Sequence, residues 1–519
     1  MSSMQVFVVA LLFSKGFLLA SALPNGPVVA QTPPMGWNSW NHFGCHGLNE
    51  DVIKGIADAF VSTGLKDCGY EYVNLDDCWQ INRTSDGVII PDPSKFPSGL
   101  PNLIQYVHSK GLKFGLYTDR GLYTCQHRPG AYGHEEIDAK TYASWGVEFL
   151  KNDDCNIPSG GDADRDYGRM SYYLNQTGKG IVHSVKGSEP IEKAYNVSNM
   201  RRVGHDIRDE FVSMLSLVEQ SHIQGLAKYA HPGFWNDLDM LEIGNGHMTT
   251  TEYITHMSLW CLLKAPLIMG NDLRNASKDT IMVLSNKEVI AINQDSLGVQ
   301  GTLIASGSAA ITNNSAVVAQ KCLTGNKYQM WKFDNASHTI TNVGTGACLS
   351  AVAGSGPVYV EPCDSGSANQ KWSMGDFNTI HPGQSKIHCL DVYNYTGPVV
   401  QLYNCKTNEH HMENQQFSFG SDGTFRPNIS GLCLDLQAIS YSEVWGGPLA
   451  NKAYAAVLLN KGNGSLNITL QWSDLGLPKA SSYKVRDLWQ HKDMGTFSGS
   501  YTASDVPSHG VAMILLTPA

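Results

Sequence analysis

Two acidic segments in the first half of the chain each follow a strand-like run, and they lie about fifty residues apart. The first, residues 150–155, follows the strand-like run 146–149 and contains Asp153. The second, residues 202–207, contains Asp206. Enzymes built on a closed parallel barrel place their catalytic groups at the carboxyl ends of the strands. Because two carboxylates in one pocket can cleave a glycosidic bond, the two segments predict glycoside hydrolysis.

Other predicted strands also end in acidic residues, with tryptophans among them. A single aspartate there can simply cap the next helix, because the helix dipole favours a negative charge at that end. Acids at five strand ends are harder to explain in this way, and aromatic faces combined with carboxylates are typical of a carbohydrate pocket. The residues are Asp76, Asp77, Asp119, Asp153, Asp154, Asp206, Asp237 and Asp239, with Trp37, Trp40, Trp79 and Trp235.

The elements that must position these residues alternate between β-like and helical runs in the first three hundred residues or so. About 270 residues of such repeats fit one α/β domain, a TIM (β/α)8 barrel, which typically needs ~250 residues. The clearest runs are predicted strands at 72–75, 112–117 and 180–184 and predicted helices at 51–63 and 102–110.

The next zone, from about residue 308, loses helical periodicity and contains an internal repeat. Two copies begin at Cys348 and Cys389 and end in an Asn-Gln-x-aromatic tail. A third begins at Cys433, and its closing half, with Cys322, stands at the front of the zone. The repeats resemble a ricin-type β-trefoil of the family 13 carbohydrate-binding modules. If each repeat closes its own bridge, the disulfides are Cys348–Cys363, Cys389–Cys405 and Cys322–Cys433, the last of which ties the two ends of the zone together.

The last zone has alternating apolar runs typical of an antiparallel β-sandwich. Its first strand or two should precede the repeats, so that the trefoil interrupts the sandwich. The predicted domains are therefore a signal peptide at 1–22, the barrel at 23–301, the first part of the sandwich at 302–311, the inserted trefoil at 312–440 and the rest of the sandwich at 441–519.

Composition and the amino terminus predict an exported protein. The net charge of −10 and the lack of a basic run argue against a nucleic-acid partner. Residues 6–13 form a short apolar core, and residues 20–22 an Ala-x-Ala cleavage pattern. The core is too short to span a bilayer comfortably, and no other apolar run of ~20 residues exists, so we expect no membrane association. Twelve cysteines in an extracellular chain indicate disulfides, and we expect neither metal nor cofactor. Asn-x-Ser/Thr sequons, which suit a secreted glycoprotein, occur at Asn82, Asn175, Asn196, Asn275, Asn313, Asn335, Asn394, Asn428, Asn463 and Asn467.

Four long motifs resemble glycoside hydrolase family 27, the α-galactosidases. They read PPMGWNSW at 33–40, LDDCW at 75–79, GFWNDLDML at 233–241 and APLIMGNDL at 265–273. The resemblance covers the barrel and the sandwich, excluding the trefoil. It implies an exo-acting enzyme that removes terminal α-D-galactosyl residues with retention of configuration.

Carried over residue by residue, the resemblance makes Asp153 the nucleophile that forms a covalent glycosyl-enzyme. It makes Asp206 the acid/base, which protonates the leaving oxygen and later activates water. Asp76 and Asp77 would hold the 4- and 6-hydroxyls, and Lys151 the 3- and 4-hydroxyls. Trp40 and Tyr117 would line the sides of the pocket around the sugar ring, Arg202 would lie near the 2-hydroxyl, and Asp239 would lie beside the nucleophile. The resemblance also implies the disulfides Cys45–Cys78 and Cys125–Cys155, and Cys68 and Cys261 remain as buried thiols.

The sequence departs from the family around the predicted site. Residues 185–187 are Val-Lys-Gly where the family has Cys-Glu-Trp, whose glutamate contacts the 2-hydroxyl, so that a cation, Lys186, replaces an anion. Arg201 stands where a tryptophan is expected. Asn152 and Asp154 flank the nucleophile where an aromatic residue and a glycine or asparagine are usual.

These departures leave the sugar open. A β-L-arabinopyranosidase acting on arabinogalactan is the alternative, since arabinopyranose is galactose without its hydroxymethyl group. The Asp76-Asp77 pair favours galactose, because a bulkier glutamate there would favour arabinose. An inactive lectin on a decayed barrel is the alternative from another class, and the complete set of site residues argues against it.

By resemblance, the trefoil repeat that begins at Cys389 carries a full sugar-binding set. The other two repeats lack a part of this set, with Ser350 in place of the aspartate and Gln320 in place of the stacking aromatic. The trefoil is therefore expected to bind polysaccharide at one site, through Asp391, Gln401, Tyr403, Asn414 and Gln415.

Overall fold

A computed structural model describes residues 28–519, apart from 188–190, 308, 312, 353, 355, 394–396, 407–411, 438 and 463. The predicted signal peptide and the sequons at Asn394 and Asn463 lie outside the described residues. The first half contains one sheet of eight parallel strands. They are β1 (Met35–Asn38), β2 (Tyr72–Leu75), β3 (Lys113–Asp119), β4 (Phe149–Asp153), β5 (Val182–Val185), β6 (Met200–Arg202), β7 (Trp235–Asp237) and β8 (Leu267–Met269).

The sheet closes on itself. Strand β1 pairs with both β2 and β8, and a parallel bridge between Leu241, just after β7, and Met269 of β8 completes the circle. The predicted TIM barrel is confirmed, and the carboxyl ends of all eight strands face one side of it.

Helices cover the outside of the barrel. The first buries Val52, Ile53, Ile56 and Phe60, which the helical repeat places on one face, and Asn49 caps it by accepting the Val52 amide at 2.9 Å. The helices are α1 (Glu50–Ser62), α2 (Leu100–Ser109), α3 (Glu135–Trp145), α4 (Ala163–Gln176), α5 (Ile191–Val197), α6 (Phe211–Ile223), α7 (Thr250–Leu262), α8 (Lys278–Leu284) and α9 (Lys287–Asn293). A short helix, Trp40–Phe43, follows β1, and a hairpin of Gln80–Arg83 and Ile89–Pro91 follows β2.

Strand β4 begins later than its apolar pattern predicts. The expected strand covered residues 146–149, but Gly146 has a φ of 91° and ends helix α3, so that the chain first has to turn. The strand therefore runs over Phe149–Asp153, and Asp153 is its last residue. Similarly, the run predicted at 180–184 forms a strand only from Val182.

The trefoil zone consists of short antiparallel strands around its own core. Each repeat contributes one large aromatic residue of its tail to this core, Trp331, Trp372 or Phe417. The strands are Val317–Lys321, Trp331–Asp334, Thr339–Asn342, Cys348–Ser350, Gly356–Pro357, Tyr359–Glu361, Trp372–Met374, Ile380–Pro382, His388–Val392, Val400–Asn404, Phe417–Phe419, Phe425–Pro427 and Leu432–Leu436.

The sandwich begins before the trefoil and ends after it, as predicted. Strand Thr302–Ser306 pairs antiparallel with Ser442–Pro448, across the whole inserted segment. The six-stranded sheet continues with Tyr454–Asn460, Val511–Pro518, Ser482–Asp487 and Lys492–Ser498, and a second sheet pairs Leu466–Gln471 with Ser500–Val506.

The sandwich shares a hydrophobic core with the barrel. Trp445, Leu459 and Met513 of the sandwich belong to the same buried cluster as the barrel interior, and helix α7 packs on this sheet. Burial of such apolar surface holds the two domains together. Among the described residues, no helix combines the length and the apolarity that crossing a membrane requires.

Candidate active site

A cavity of about 630 Å³ opens at the carboxyl end of the barrel. Trp37, Trp79 and Trp235 are fully buried and do not line it. All the barrel residues that the family resemblance assigns to catalysis or substrate binding do line it, although they come from six different strand ends. They are Trp40, Asp76, Asp77, Tyr117, Lys151, Asp153, Arg202, Asp206 and Asp239.

Asp76 and Lys151 form an ion pair on the floor of this cavity. Lys151 Nζ donates to Asp76 Oδ2 at 2.8 Å, and Asn38 Nδ2 donates to the same oxygen at 2.8 Å. Burial alone would lower the pKa of Lys151, but the carboxylates of Asp76 and Asp153 raise it. The lysine is therefore a permanent cation between two carboxylates.

Asp153 is held from two directions. The Tyr117 hydroxyl donates to Oδ2 at 3.0 Å, and the backbone amide of Asp154 donates to Oδ1 at 3.0 Å. The disulfide Cys125–Cys155 begins two residues later and fixes the loop that follows β4. These contacts orient the carboxylate.

Asp206 lies between two cations. Lys186 Nζ donates to Oδ1 at 2.5 Å, and Arg202 Nη2 donates to the same oxygen at 2.9 Å. Arg202 also pairs with Asp239 at 2.6 Å. The charge of Lys186, followed by that of Arg202, holds the pKa of Asp206 well below its usual range.

Two other acids of the site hold protons more tightly than an exposed aspartate does. Burial and the charge of Asp76 raise the pKa of Asp77 to about 6. Burial and the charge of Asp153 raise the pKa of Asp119 to about 8. Asp119 is fully buried at the end of β3 and accepts the Gly121 amide at 2.7 Å. Perturbed carboxylates of this kind cluster at functional sites.

Two residues of the site adopt left-handed backbone without being glycine. Cys78 has a φ of 74° and Asp239 a φ of 78°. Such a conformation costs of the order of 1 kcal/mol or more and persists where the surroundings impose it. The disulfide Cys45–Cys78 holds the first, and the Asp237 carboxylate, which accepts the Asp239 amide at 2.8 Å, holds the second.

All five disulfides that the sequence suggests are present in the structure. Cys261 is a buried free thiol. Cys68 is only partly buried, and its thiol points toward the carbonyl oxygen of Ser285, the residue after helix α8, at 3.7 Å. Two groups of potential metal ligands, around Asp119 and around His381, both depend on sulfurs that are already joined in disulfides and so cannot act as thiolates.

Asn38 and Glu242 are polar residues of the site that the sequence did not point to. Asn38 ends β1 and orients Asp76, and it could have been found as the polar residue at that strand end. Glu242 lines the cavity, and burial raises its pKa to about 7, with Asn245 and Asn41 as donors that lower it. It follows Asp239 in an irregular segment, where periodicity gives no signal.

Three residues that depart from the family pattern, Lys186, Arg201 and Asp154, form hydrogen bonds or ion pairs with their neighbours. Lys186 pairs with Asp206, and Arg201 donates to the Gly187 carbonyl at 2.8 Å. Asp154 pairs with Arg120 at 2.6 Å. The cation that replaces the expected glutamate therefore acts on the predicted acid/base itself.

The predicted polar residues of the trefoil site also lie together. Asp391 Oδ2 accepts from Asn414 at 2.7 Å and from Gln415 at 3.0 Å, and Oδ1 accepts from Gln401 at 3.2 Å. All four are buried, whereas Tyr403 on the same strand as Gln401 is 45% exposed. The group is thus an oriented polar cluster beside an open aromatic ring.

Comparisons with known proteins agree with this architecture. Residues 32–295 match the family model of alpha galactosidase A, residues 440–516 that of the alpha galactosidase C-terminal beta sandwich domain, and residues 274–372 that of the ricin-type beta-trefoil lectin domain. The chain is 35% identical to an alpha-galactosidase of Cyamopsis tetragonoloba, covering 94% of this chain and 87% of that one. It is 36% identical to that of Coffea arabica, covering 96% of both. The crystal structure of alpha-galactosidase I from Mortierella vinacea superposes with a TM-score of 0.66 and 28% identity, covering 96% of this chain and 99% of that one. The chain therefore belongs to the α-galactosidase family, glycoside hydrolase family 27, and is a glycoside hydrolase.

Proposed function

We propose that this enzyme removes terminal α-D-galactosyl residues from galacto-oligosaccharides or plant polysaccharides by double displacement. The observation that carries the proposal is the convergence of Asp153 and Asp206 on one cavity, together with the full set of predicted sugar-binding residues. The relatives named above, all α-galactosidases, support the choice of sugar.

In the first step, an Asp153 carboxylate oxygen attacks the anomeric carbon while Asp206 gives its proton to the leaving oxygen. The glycosidic bond breaks as the ester to Asp153 forms. In the second step, Asp206 takes a proton from water, and this water displaces Asp153, so that the anomeric configuration is retained. Tyr117 and the Asp154 amide hold the attacking carboxylate in place.

The ion pairs of the cavity support this division of roles. Lys151 lies near Asp153 and stabilises its negative charge, which a nucleophile needs. Asp76, which already accepts from Asn38 and Lys151, offers carboxylate oxygen to sugar hydroxyls, with Asp77 beside it. Trp40 and Tyr117 line the sides of the cavity around the sugar ring.

The choice between the two sugars is tested directly by hydrolysis of p-nitrophenyl α-D-galactopyranoside and p-nitrophenyl β-L-arabinopyranoside. We expect kcat/KM for the galactoside to be higher by about 10-fold or more, because a site that hydrogen-bonds a substrate hydroxyl loses those bonds with an analogue that lacks it. A preference for the arabinoside would identify the alternative enzyme. Turnover of neither substrate would identify the lectin.

Lys186 sets the pH range of the proposed acid. A general acid must be protonated, so activity falls as the pH rises through its pKa, and Lys186 lowers that of Asp206. In a Lys186→Gln variant this pKa rises, and we expect the alkaline limb of the kcat/KM profile to move to higher pH.

The matched control is Lys140→Gln, which removes an exposed lysine paired with Glu136 on helix α3 and should leave the profile unchanged. A Lys186→Gln profile whose alkaline limb stays in place, or moves to lower pH, would contradict the assignment of Asp206 as the acid.

We further propose that the protein is secreted and that the trefoil binds polysaccharide. The disulfides and the predicted signal peptide support export, and the Asp391 cluster supports sugar binding. The domain boundaries that we assign are those predicted from the sequence, with the barrel at 23–301, the trefoil at 312–440, and the sandwich on both sides of it.

A further inference from the structure

The trefoil repeat with the complete polar set lies against the rim of the catalytic cavity. Its strand Val400–Asn404 pairs with Gly356–Pro357, with Gly356 opposite Leu402. Helix α6 contacts Gly356–Pro357. A Cβ at Gly356 would lie 2.8 Å from Arg208 Nη2, so the trefoil backbone approaches this guanidinium closely. Because Arg208 lines the cavity two residues after Asp206, strand Val400–Asn404 stands next to the catalytic rim.

Tyr403 lies on this strand, between Leu402 and Asn404, in the same repeat as the Asp391 cluster. The charges that act on its hydroxyl are, in decreasing order, those of Lys186, Asp206 and Asp154 in the barrel, and then that of Asp391 in its own repeat. Burial is the main cause that raises the pKa of this hydroxyl, and charges of both the barrel site and the trefoil cluster act on it. The residue is 45% exposed, so part of its side chain is accessible to a ligand.

The polar cluster of the same repeat can form hydrogen bonds with the hydroxyl groups of a sugar. Gln401 is almost fully buried, and its Oε1 has no hydrogen-bond partner within the described part of the chain. Lys406 Nζ donates to Asn414 Oδ1 at 2.9 Å, which turns the Asn414 amide group toward Asp391. A buried acceptor without a donor is costly unless a ligand or water supplies one.

The other repeats do not offer such a surface. The residues opposite the first cysteine of each repeat are Tyr403, Glu361 and Gln320, and only the first is aromatic. At this position of the three repeats, the aromatic residue is therefore the one beside the cavity.

We propose that Tyr403 and the Asp391 cluster bind a sugar of the leaving portion of the substrate while its terminal galactose occupies the cavity of Asp153 and Asp206. The trefoil repeat is then the distal part of one substrate cleft, and not a separate anchor for the enzyme. The aromatic face stacks on a sugar ring, and the carboxylate and amides accept and donate to neighbouring hydroxyls. The proposal rests on the proposed function, because it needs glycoside cleavage in the cavity.

The test compares two substrates on each enzyme preparation. One is p-nitrophenyl α-D-galactopyranoside, whose leaving group contains no sugar, and the other is a galactosylated mannopentaose. In Tyr403→Ala, we expect the ratio of kcat/KM for the oligosaccharide to that for the aryl galactoside to fall about 5–10-fold, the size expected for one lost aromatic contact. Because both rates come from one sample, partial unfolding lowers both and leaves the ratio unchanged.

Two further variants complete the test. Gln320→Ala changes the matching position of another repeat and should keep the wild-type ratio, and Tyr403→Phe keeps the stacking ring and should stay within about twofold of it. An unchanged ratio in Tyr403→Ala, an equal fall in Gln320→Ala, or an equal fall in Tyr403→Phe would overturn the proposal. A wild-type enzyme that fails to cleave the aryl galactoside would instead overturn the proposed function.

Discussion

Replacing Asp153 by asparagine should lower kcat for p-nitrophenyl α-D-galactopyranoside by about 10⁴-fold or more, the scale seen when a catalytic nucleophile is removed. The amide has nearly the shape of the carboxylate, so its oxygen can still accept from the Asp154 amide while its nitrogen donates to the Tyr117 hydroxyl, and the nucleophile is lost. The measurement is steady-state turnover, with the melting temperature as a check on folding.

The matched control is Asp86→Asn, an exposed aspartate in the turn of the hairpin after β2, which should keep wild-type turnover. The charge of Asp153 also raises the pKa of Asp119, so the Asp153→Asn protein should be at least as stable as the wild type. A variant that folds and retains a tenth of the wild-type kcat would exclude Asp153 as the nucleophile.

Replacing Asp206 by asparagine should give a loss that depends on the leaving group. A general acid contributes about 10²–10⁴-fold where the leaving oxygen needs a proton. We expect a loss of that size in kcat/KM for galacto-oligosaccharides and a much smaller one for 2,4-dinitrophenyl α-D-galactopyranoside, whose phenolate departs without protonation. The comparison of kcat/KM across a series of leaving groups measures this dependence.

Azide provides an independent check on the same variant. With an activated substrate, Asp206→Asn should accumulate the glycosyl-enzyme, because water then lacks its base. Azide needs no base and should restore turnover by forming galactosyl azide, whereas it should not rescue Asp153→Asn. An equal loss on all leaving groups, without rescue, would contradict the assignment of Asp206 as the acid/base.

Local pattern predicted the elements well where hydrophobic periodicity was strong. Strand Tyr72–Leu75 has the predicted bounds, and helix Glu50–Ser62 differs from the prediction by one residue at each end. The prediction was less accurate before β4, because Gly146 first closes a helix in a left-handed turn. The trefoil and its three disulfides could be predicted because the cysteines and the Asn-Gln tails recur at a regular spacing along the sequence.

The barrel residues of the site could be predicted because they lie in long family motifs or at the ends of strand-like runs, and the structure places them around one cavity. The pairing of Lys186 with Asp206 could not be predicted, because the two follow different strands, β5 and β6, and it is the pairing of these strands in the sheet that brings them together. The position of Tyr403 beside the cavity could not be predicted from the sequence either. It depends on the fit between Gly356 and Arg208, two residues of different domains whose contact has no local pattern.

The way the trefoil is inserted has a consequence for the history of such enzymes. Its first and last strands, Val317–Lys321 and Leu432–Leu436, lie side by side, and Cys322–Cys433 joins them. The neighbouring sandwich strands Thr302–Ser306 and Ser442–Pro448 are likewise adjacent, as in an ordinary hairpin. A gene could therefore gain or lose the whole lectin in a single in-frame event at one surface turn. The host fold would need no rearrangement, and the reach of the enzyme toward long polymers could evolve separately from its chemistry.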